Sequence, residues 1–210
     1  MYRLNRITVI FAFVLVLAGI INCAASESSL SIEQTFQKAK KDYLEKNIDS
    51  AAKQIKKGAA YMRAEAVKAS SRGKKALDDS ARELDKLADD VKKGAVESVK
   101  KIEDVFARAY FALAEESYIE STEAWAKKEA VKAGEFLDAA NKNLEKGMIW
   151  AGQKVEEKTT ETMKKSRELS LKLKQKGKLI TEEAGKSLQA IGDEIEKFGE
   201  RISSESLNEK

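Results

Sequence analysis

The side chains best placed for chemistry in this sequence are three glutamates, Glu115, Glu116 and Glu120. Residues four positions apart lie on one face of a helix, so such carboxylates could act together in metal binding or acid–base catalysis. Glutamates on a helix surface are more often simply solvated, and that interpretation stays open beside the chemical one.

Two Ser-x-x-Lys sequences offer a second kind of chemistry. Ser71 to Lys74 and Ser98 to Lys101 have the spacing that lets a lysine deprotonate a serine nucleophile. The companion Ser-Asp-Asn and Lys-Thr-Gly sequences of penicillin-recognising enzymes are absent from the chain. Because serine and lysine are abundant here, we expect both matches to arise by chance.

The inventory of side chains excludes several classes of enzyme. The chain has no histidine and a single cysteine, Cys23. Ser-His-Asp and Cys-His catalysis, zinc sites of the usual ligand sets and haem ligation by histidine are therefore excluded. We predict a protein that is not an enzyme and has no catalytic residue, no cofactor and no metal site.

Residues 1–25 have the layout of a bacterial secretory signal peptide. Arg3 and Arg6 precede an apolar run from Ile7 to Ile21, which small residues follow. The run is 15 residues long, whereas a membrane-spanning helix needs about 20. The pattern therefore predicts export and removal of the segment, not a permanent membrane span.

The cysteine in this segment allows two ways of processing it. Cys23 follows the apolar run and resembles the cysteine of a bacterial lipoprotein signal, although Asn22 stands where that family prefers a small residue. The resemblance implies lipidation of Cys23 and attachment to the membrane. The alternative is cleavage after Ala25, which discards Cys23 and releases the protein into the periplasm.

Composition predicts the fold class. Proline, the residue least compatible with a helix interior, is absent from all 210 residues, and 42% of the residues are apolar. We predict an all-α fold in which residues 28–152 form an antiparallel helical bundle of two related hairpins. Residues 153–210 are predicted to form a long amphipathic helical extension.

Local signals place the ends of the predicted helices. Ser31 is a predicted cap of the first helix, and residues 70–73 are the clearest internal break. A long helix is predicted from Lys75 onward, with a bend at Gly94 where its apolar register slips. A turn is predicted at residues 127–129.

The two hairpins match when the sequence is shifted by 82 residues. The matched pairs are Phe36 with Tyr118, Tyr43 with Trp125, Ala51 with Ala133, Ile55 with Leu137 and Met62 with Leu144. Because 82 is not a multiple of seven, a shared heptad pattern alone does not produce the match. The shift predicts an internal duplication whose halves pack together. Both tryptophans lie between residues 106 and 150, which we predict to be the packing centre.

The first hairpin resembles a tetratricopeptide repeat. Phe36, Tyr43, the Asn47-Ile48-Asp49 turn, Ala52 and Ala59 match the spacing of that family, over about one repeat. The resemblance implies a helical hairpin. The closing proline of that family is missing. An export signal followed by alanine-rich hairpins is also similar to the exported, stress-associated YfdX-like family.

The C-terminal region carries a run of basic residues. The predicted contacts to an anionic surface are Lys164, Lys165, Arg167, Lys172, Lys174, Lys176 and Lys178. Leu169, Leu171 and Leu173 could enter a membrane surface beside them. A solvated helix is the competing interpretation, because the basic residues spread around the helix. Hydroxyl residues dilute the apolar stripe here, which predicts little burial.

The last segment needs a partner surface. Gly185, Gly192 and Gly199 recur every seven residues, and each glycine lowers helix stability by about 1 kcal/mol relative to alanine. That partner is the bundle, a second copy of the chain or a membrane.

These observations predict an exported, non-enzymatic helical envelope protein that acts by protein contact as a scaffold, adaptor or stress protein. We expect a protein partner or self-association. The alternative is a peripheral protein that binds anionic lipid through residues 153–202. The net charge is +4, and two of these charges belong to Arg3 and Arg6 in the signal segment, so nucleic acid is not expected.

Overall fold

The protein is all-helical in the described residues, which confirms the predicted fold class. The structure is a computed structural model that describes residues 24–152, 157–176 and 182–208. No strand occurs in these ranges. Their helices are α1 (Ala24–Leu44), α2 (Ile48–Lys68), α3 (Ser71–Lys92), α4 (Val99–Ala126), α5 (Ala130–Trp150), α6 (Glu157–Lys176) and α7 (Glu182–Asn208).

Packing divides the chain into two compact units, Met1–Gln34 and Thr35–Lys210. The described part of the first unit is residues 24–34, which belong to α1. Ser31 lies inside that helix, so its predicted role as a cap is wrong. All of the packing described below lies within Thr35–Lys210.

The long helix predicted from Lys75 onward is two helices. At the end of α3, Gly94 has a φ of 68°, and its N–H donates to the carbonyl of Val91 at 3.0 Å. This left-handed residue ends the helix, because it turns the chain away from the helix axis. Ser98 then caps α4 by accepting a hydrogen bond from the N–H of Lys101 at 3.4 Å. The predicted bend is therefore a break of six residues.

The connection between α1 and α2 recurs between α4 and α5. Lys46 and Lys128, which are 82 positions apart, are the non-glycine residues with positive φ in the described chain, at 63° and 61°. The N–H of Asn47 donates to Asp42 at 2.8 Å, and the N–H of Glu129 donates to Ala124 at 2.9 Å. Both α2 and α5 have 21 residues and begin 82 positions apart. The turn predicted at residues 127–129 is confirmed.

The repeat extends beyond the two predicted hairpins to the third helix of each half. The buried residues of α6 at this spacing are Thr159, Met163, Ser166, Ser170 and Leu173, and those of α3 are Leu77, Ala81, Leu84, Ala88 and Val91. Each α6 residue follows its α3 counterpart by 82 positions. In the same way, α4 ends at Ala126 and α7 at Asn208. The repeating unit is therefore three helices long.

Aromatic rings from three helices form the centre of the core. Phe36 of α1 stacks on Phe106 of α4, with ring centroids 4.0 Å apart. Tyr110 meets Phe36 edge-on at 5.8 Å, and Trp150 of α5 meets Phe106 edge-on at 5.1 Å. These four rings are buried. The packing centre therefore includes Phe106 and Trp150, as predicted, but it also needs Phe36.

The partner surface of α7 is the bundle itself. A Cβ atom at Gly199 would lie 2.5 Å from the ring of Phe111 on α4, and one at Gly192 would overlap the ring of Tyr118. These glycines therefore make room for aromatic rings seven residues apart on α4. The low burial predicted beyond residue 153 is wrong, because α6 and α7 bury a row of apolar side chains. Among the described helices, none is both long and apolar enough to cross a membrane.

Candidate functional site

Of the glutamates singled out from the sequence, Glu116 is the most deeply placed. It lies on α4 and is 7% exposed. One carboxylate oxygen accepts a hydrogen bond from the N–H of Ser70 at 2.7 Å, and the other accepts from the Ser70 hydroxyl at 2.8 Å. A Cβ atom at Gly73 would overlap this carboxylate, so glycine at this position leaves room for it. Because a helix N-terminus attracts negative charge, the Glu116 carboxylate stabilises the contact between the start of α3 and α4.

Glu120 lies one turn beyond Glu116 and holds its proton more tightly than an ordinary glutamate. Burial raises the pKa of Glu120 to about 7, and the nearby carboxylates of Glu116, Glu65 and Glu123 add to the rise. A group with this pKa is suited to proton transfer near neutral pH. In the part of the chain that the structure describes, no group of three or more residues is placed to hold a metal ion.

The three glutamates thus have different neighbours. The Glu115 carboxylate faces Arg72, with 3.5 Å between the charged atoms, while the charge of Glu116 helps to raise the pKa of Glu120. Sequence reasoning missed Ser70 and Glu65, which come from the α2–α3 corner far away in the chain. The one available clue was Gly73, a poor helix former in the first turn of α3.

The two Ser-x-x-Lys sequences lie at helix starts. Ser71 is the first residue of α3 and is exposed. Ser98 is the cap of α4, where its hydroxyl accepts from the N–H of Lys101. Helix capping accounts for the serine in the second sequence.

The basic residues of α6 are partly neutralised by acidic neighbours. Arg167 pairs with Glu145 of α5 at 2.6 Å, Lys174 pairs with Asp138 of α5 at 3.1 Å, and Lys165 pairs with Glu161 of its own helix at 3.5 Å. The other four members of the predicted set differ in placement. Lys164 and Lys172 are exposed, Lys176 ends α6, and Lys178 lies outside the described residues, as does Cys23.

The leucines predicted to enter a membrane do not all face outward. Leu169 is 8% exposed and Leu173 is fully buried, whereas Leu171 is 52% exposed. Leu173 packs on α5, where a Cβ atom at Gly134 would lie 2.9 Å from the Cβ atom of Leu173. Of these three leucines, only Leu171 is therefore accessible to a membrane while α6 is packed.

The attachment of α6 to its neighbours is unusually polar. We call the buried residues Asn141, Thr159, Ser166, Ser170 and Glu194 the polar seam. Asn141 Nδ2 donates to the Ser166 hydroxyl at 2.8 Å, the Ser170 hydroxyl donates to the carbonyl of Gly134 at 2.8 Å, and the Thr159 hydroxyl donates to Glu194 at 2.7 Å. These hydrogen bonds join α6 to α5 and α7.

Two members of the polar seam are electrostatically unusual. Asn141 Oδ1 is buried and has no hydrogen-bond partner among the described residues, which costs about 1–3 kcal/mol. Burial opposes the ionisation of Glu194, but hydrogen bonds from Thr159 and Lys197 outweigh it and lower the pKa of Glu194. Glu194 therefore stays charged within the packed bundle.

Comparison with known proteins finds no protein family, curated protein or solved structure that matches the chain.

Proposed function

We propose that this protein is an exported, non-enzymatic helical protein of the bacterial envelope that acts by protein contact, as a scaffold, adaptor or stress protein. The observation that carries the proposal is the three-helix repeat with equivalent exposed side chains. Val67 of α2 and Ile149 of α5 are 82 positions apart and are 82% and 66% exposed. Repeat proteins commonly bind partners through equivalent surfaces of successive repeats.

The N-terminal segment supports export of the protein to the bacterial envelope. Basic residues, an apolar run and small residues in order are typical of an export signal. Mass spectrometry of the protein purified from cells tests this directly. A mature chain that begins at Cys23 with lipid attached, or at Ser26 without it, supports export. An intact N-terminus carrying residues 1–25 in the cytoplasm contradicts it.

The contact surface can be tested in the full chain by photo-crosslinking. A photo-reactive amino acid at position 67 or 149 should give an adduct of one defined mass, whether a partner protein or a second copy. The control is position 75, an exposed lysine of α3. Equal adducts at all three positions, or none at 67 and 149, would oppose the proposed surface. A defined substrate turnover by the folded protein would oppose the non-enzymatic assignment.

The alternative function, binding to anionic lipid through residues 153–202, is favoured by the basic composition of α6. In the packed bundle α6 offers a membrane a single exposed leucine, Leu171. That alternative consequently depends on whether α6 can leave the bundle.

A further inference from the structure

Helices α3 and α6 occupy equivalent places in the repeat but are attached by different forces. Where α3 buries Leu77, Leu84 and Ala88, α6 buries Thr159, Ser166 and Ser170. Burying a leucine side chain removes apolar surface from water, which strongly stabilises the packed helix. A buried hydroxyl contributes less, because water supplies an equivalent hydrogen bond once the helix separates.

We propose that α6 leaves the bundle reversibly and that the released helix binds an anionic lipid surface. This inference rests on the alternative function proposed above, binding to anionic lipid, and it adds the mechanism of release and a role for the polar seam. The seam keeps α6 in place while making its release easier than the release of α3.

Release exposes a group that the packed state buries without a partner among the described residues. That group is Asn141 Oδ1, and separation of α6 opens it to water. The hydroxyls of Ser166 and Ser170 exchange protein partners for water at the same time. Local opening is easiest where few apolar contacts hold a segment, so α6 should open before the rest of the bundle.

Charge points to an anionic surface as the destination of α6. Between Glu157 and Lys176 there are seven basic and three acidic residues, whereas α3 has six of each. Release also frees Arg167 from Glu145 and Lys174 from Asp138, since both acids stay on α5. The cations are then available to lipid phosphates.

The buried face of α6 favours lipid over nucleic acid. Met163, Leu169 and Leu173 share one face of the helix and are buried in the bundle. By helical spacing, Arg167 and Lys174 border one edge of this face and Lys165 borders the other. An apolar face flanked by basic residues is the pattern of a helix that lies in a membrane interface. A nucleic acid would leave the apolar side chains in water.

Hydrogen exchange of the full chain tests the release itself. The backbone amides of α6 should exchange at least about tenfold faster than those of α3, which serves as the equivalent helix in the same molecule. Equal protection of the two helices would overturn the proposal.

Two variants should move the equilibrium in opposite directions. Asn141→Ala with Ser166→Leu copies the Ala59 and Leu84 pair of the first repeat, and it should slow exchange in α6. Gly134→Ala places a Cβ atom 2.9 Å from both the Leu173 Cβ atom and the Ser170 carbonyl oxygen, so it should push α6 outward and speed exchange. Gly185→Ala, whose Cβ atom meets no described residue within 4 Å, is the matched control and should leave exchange in α6 unchanged.

The same variants test the lipid surface. All are made in the full chain, so the N-terminal apolar segment contributes equally to the vesicle binding of each variant. Sedimentation with phosphatidylglycerol vesicles should show affinity raised at least about threefold by Gly134→Ala and lowered by the double variant, because apparent affinity follows the released fraction. Phosphatidylcholine vesicles should show neither change. If the double variant does not fold, as judged by circular dichroism, Gly134→Ala against Gly185→Ala still decides.

Several outcomes would overturn the assignment. Unchanged binding to phosphatidylglycerol in all three variants would remove the link between release and lipid. Equal effects on phosphatidylcholine would remove the role of charge. If the variants altered binding of a DNA oligonucleotide but not of anionic vesicles, the partner would be nucleic acid.

Discussion

Glu116 and Glu120 lie one turn apart on α4 but have opposite surroundings. The Glu116 carboxylate receives two hydrogen bonds from Ser70 at the start of α3. Glu120 faces other carboxylates and is partly buried, which raises its pKa to about 7. One glutamate therefore joins two helices, and its neighbour makes that junction sensitive to pH.

The stability of the bundle should fall as pH rises through neutrality. An unfolded glutamate has a pKa of 4.5, whereas burial and nearby carboxylates raise that of folded Glu120 to about 7. The folded state thus binds the proton more tightly, and this stabilisation is present below pH 4.5 and lost as pH rises through 7. Glu120→Gln stays neutral, so its melting temperature should vary less between about pH 5 and about pH 8 and exceed that of the natural protein at the upper end.

Thermal melts followed by circular dichroism check this, with Glu135→Gln, an exposed glutamate of α5, as the control. The control should keep the natural pH dependence. Asp42 does not interfere in this range, because its hydrogen bond from Ser50 lowers the pKa of Asp42. Identical pH profiles for Glu120→Gln and the natural protein would contradict the prediction.

Sequence reasoning could place Glu116 and Glu120 on one helix face but could not find their partners. The helical spacing of four residues is local information, whereas Ser70 and Glu65 reach these glutamates only after α2, α3 and α4 have packed. Gly73 was interpretable from sequence as part of a break. Its function, making room for the Glu116 carboxylate, depends on a contact between residues 43 positions apart.

At the scale of helices, the packing of α7 on α4 depends on glycines facing aromatic rings. Gly199 receives Phe111 and Gly192 receives Tyr118. Gly185 continues the same seven-residue spacing, but no described residue would lie within 4 Å of a Cβ atom there. The three glycines look alike in the sequence, but the structure gives them different roles.

Alanine substitutions should separate these roles. Gly185→Ala should raise the free energy of unfolding by about 1 kcal/mol, because alanine favours the helix and none of the described residues obstructs its Cβ atom. Gly199→Ala should lower it despite the same gain in helix propensity, because its Cβ atom would lie 2.5 Å from the Phe111 ring. Urea unfolding measures both. Stabilisation by both substitutions would mean that α7 does not pack on Phe111.

The helices themselves were largely predictable, and the errors in predicting them have local causes. The absence of proline and the apolar periodicity predicted an all-α fold, and the turn at residues 127–129 was located correctly. The break after α3 was predicted only as a bend, because Val91, Ala95 and Val99 continue the apolar pattern across it at helical spacing. Burial of α6 was missed because its hydroxyls are satisfied by partners on α5 and α7, which the sequence of α6 does not reveal.

At the scale of the molecule, the repeat implies that corresponding residues make equivalent helix–helix contacts in different surroundings. Phe36 and Tyr118 are 82 positions apart, and each lies where a helix that starts a repeat meets the next such helix. Phe36 contacts Phe106 and Tyr110 of α4, and Tyr118 contacts Gly192 of α7. Phe36 is fully buried at the first junction, whereas Tyr118 is half-buried at the second.

The two junctions should therefore contribute unequally to stability. Phe36→Ala removes a fully buried ring stacked on Phe106, and a cavity of this kind should lower the free energy of unfolding by about 3–5 kcal/mol. Tyr118→Ala removes a half-buried ring that lies over a glycine, so the loss should be nearer about 1–2 kcal/mol. Urea unfolding followed by circular dichroism compares them. Equal losses would contradict the prediction, because they would show that Tyr118 contributes as much to packing as the fully buried Phe36.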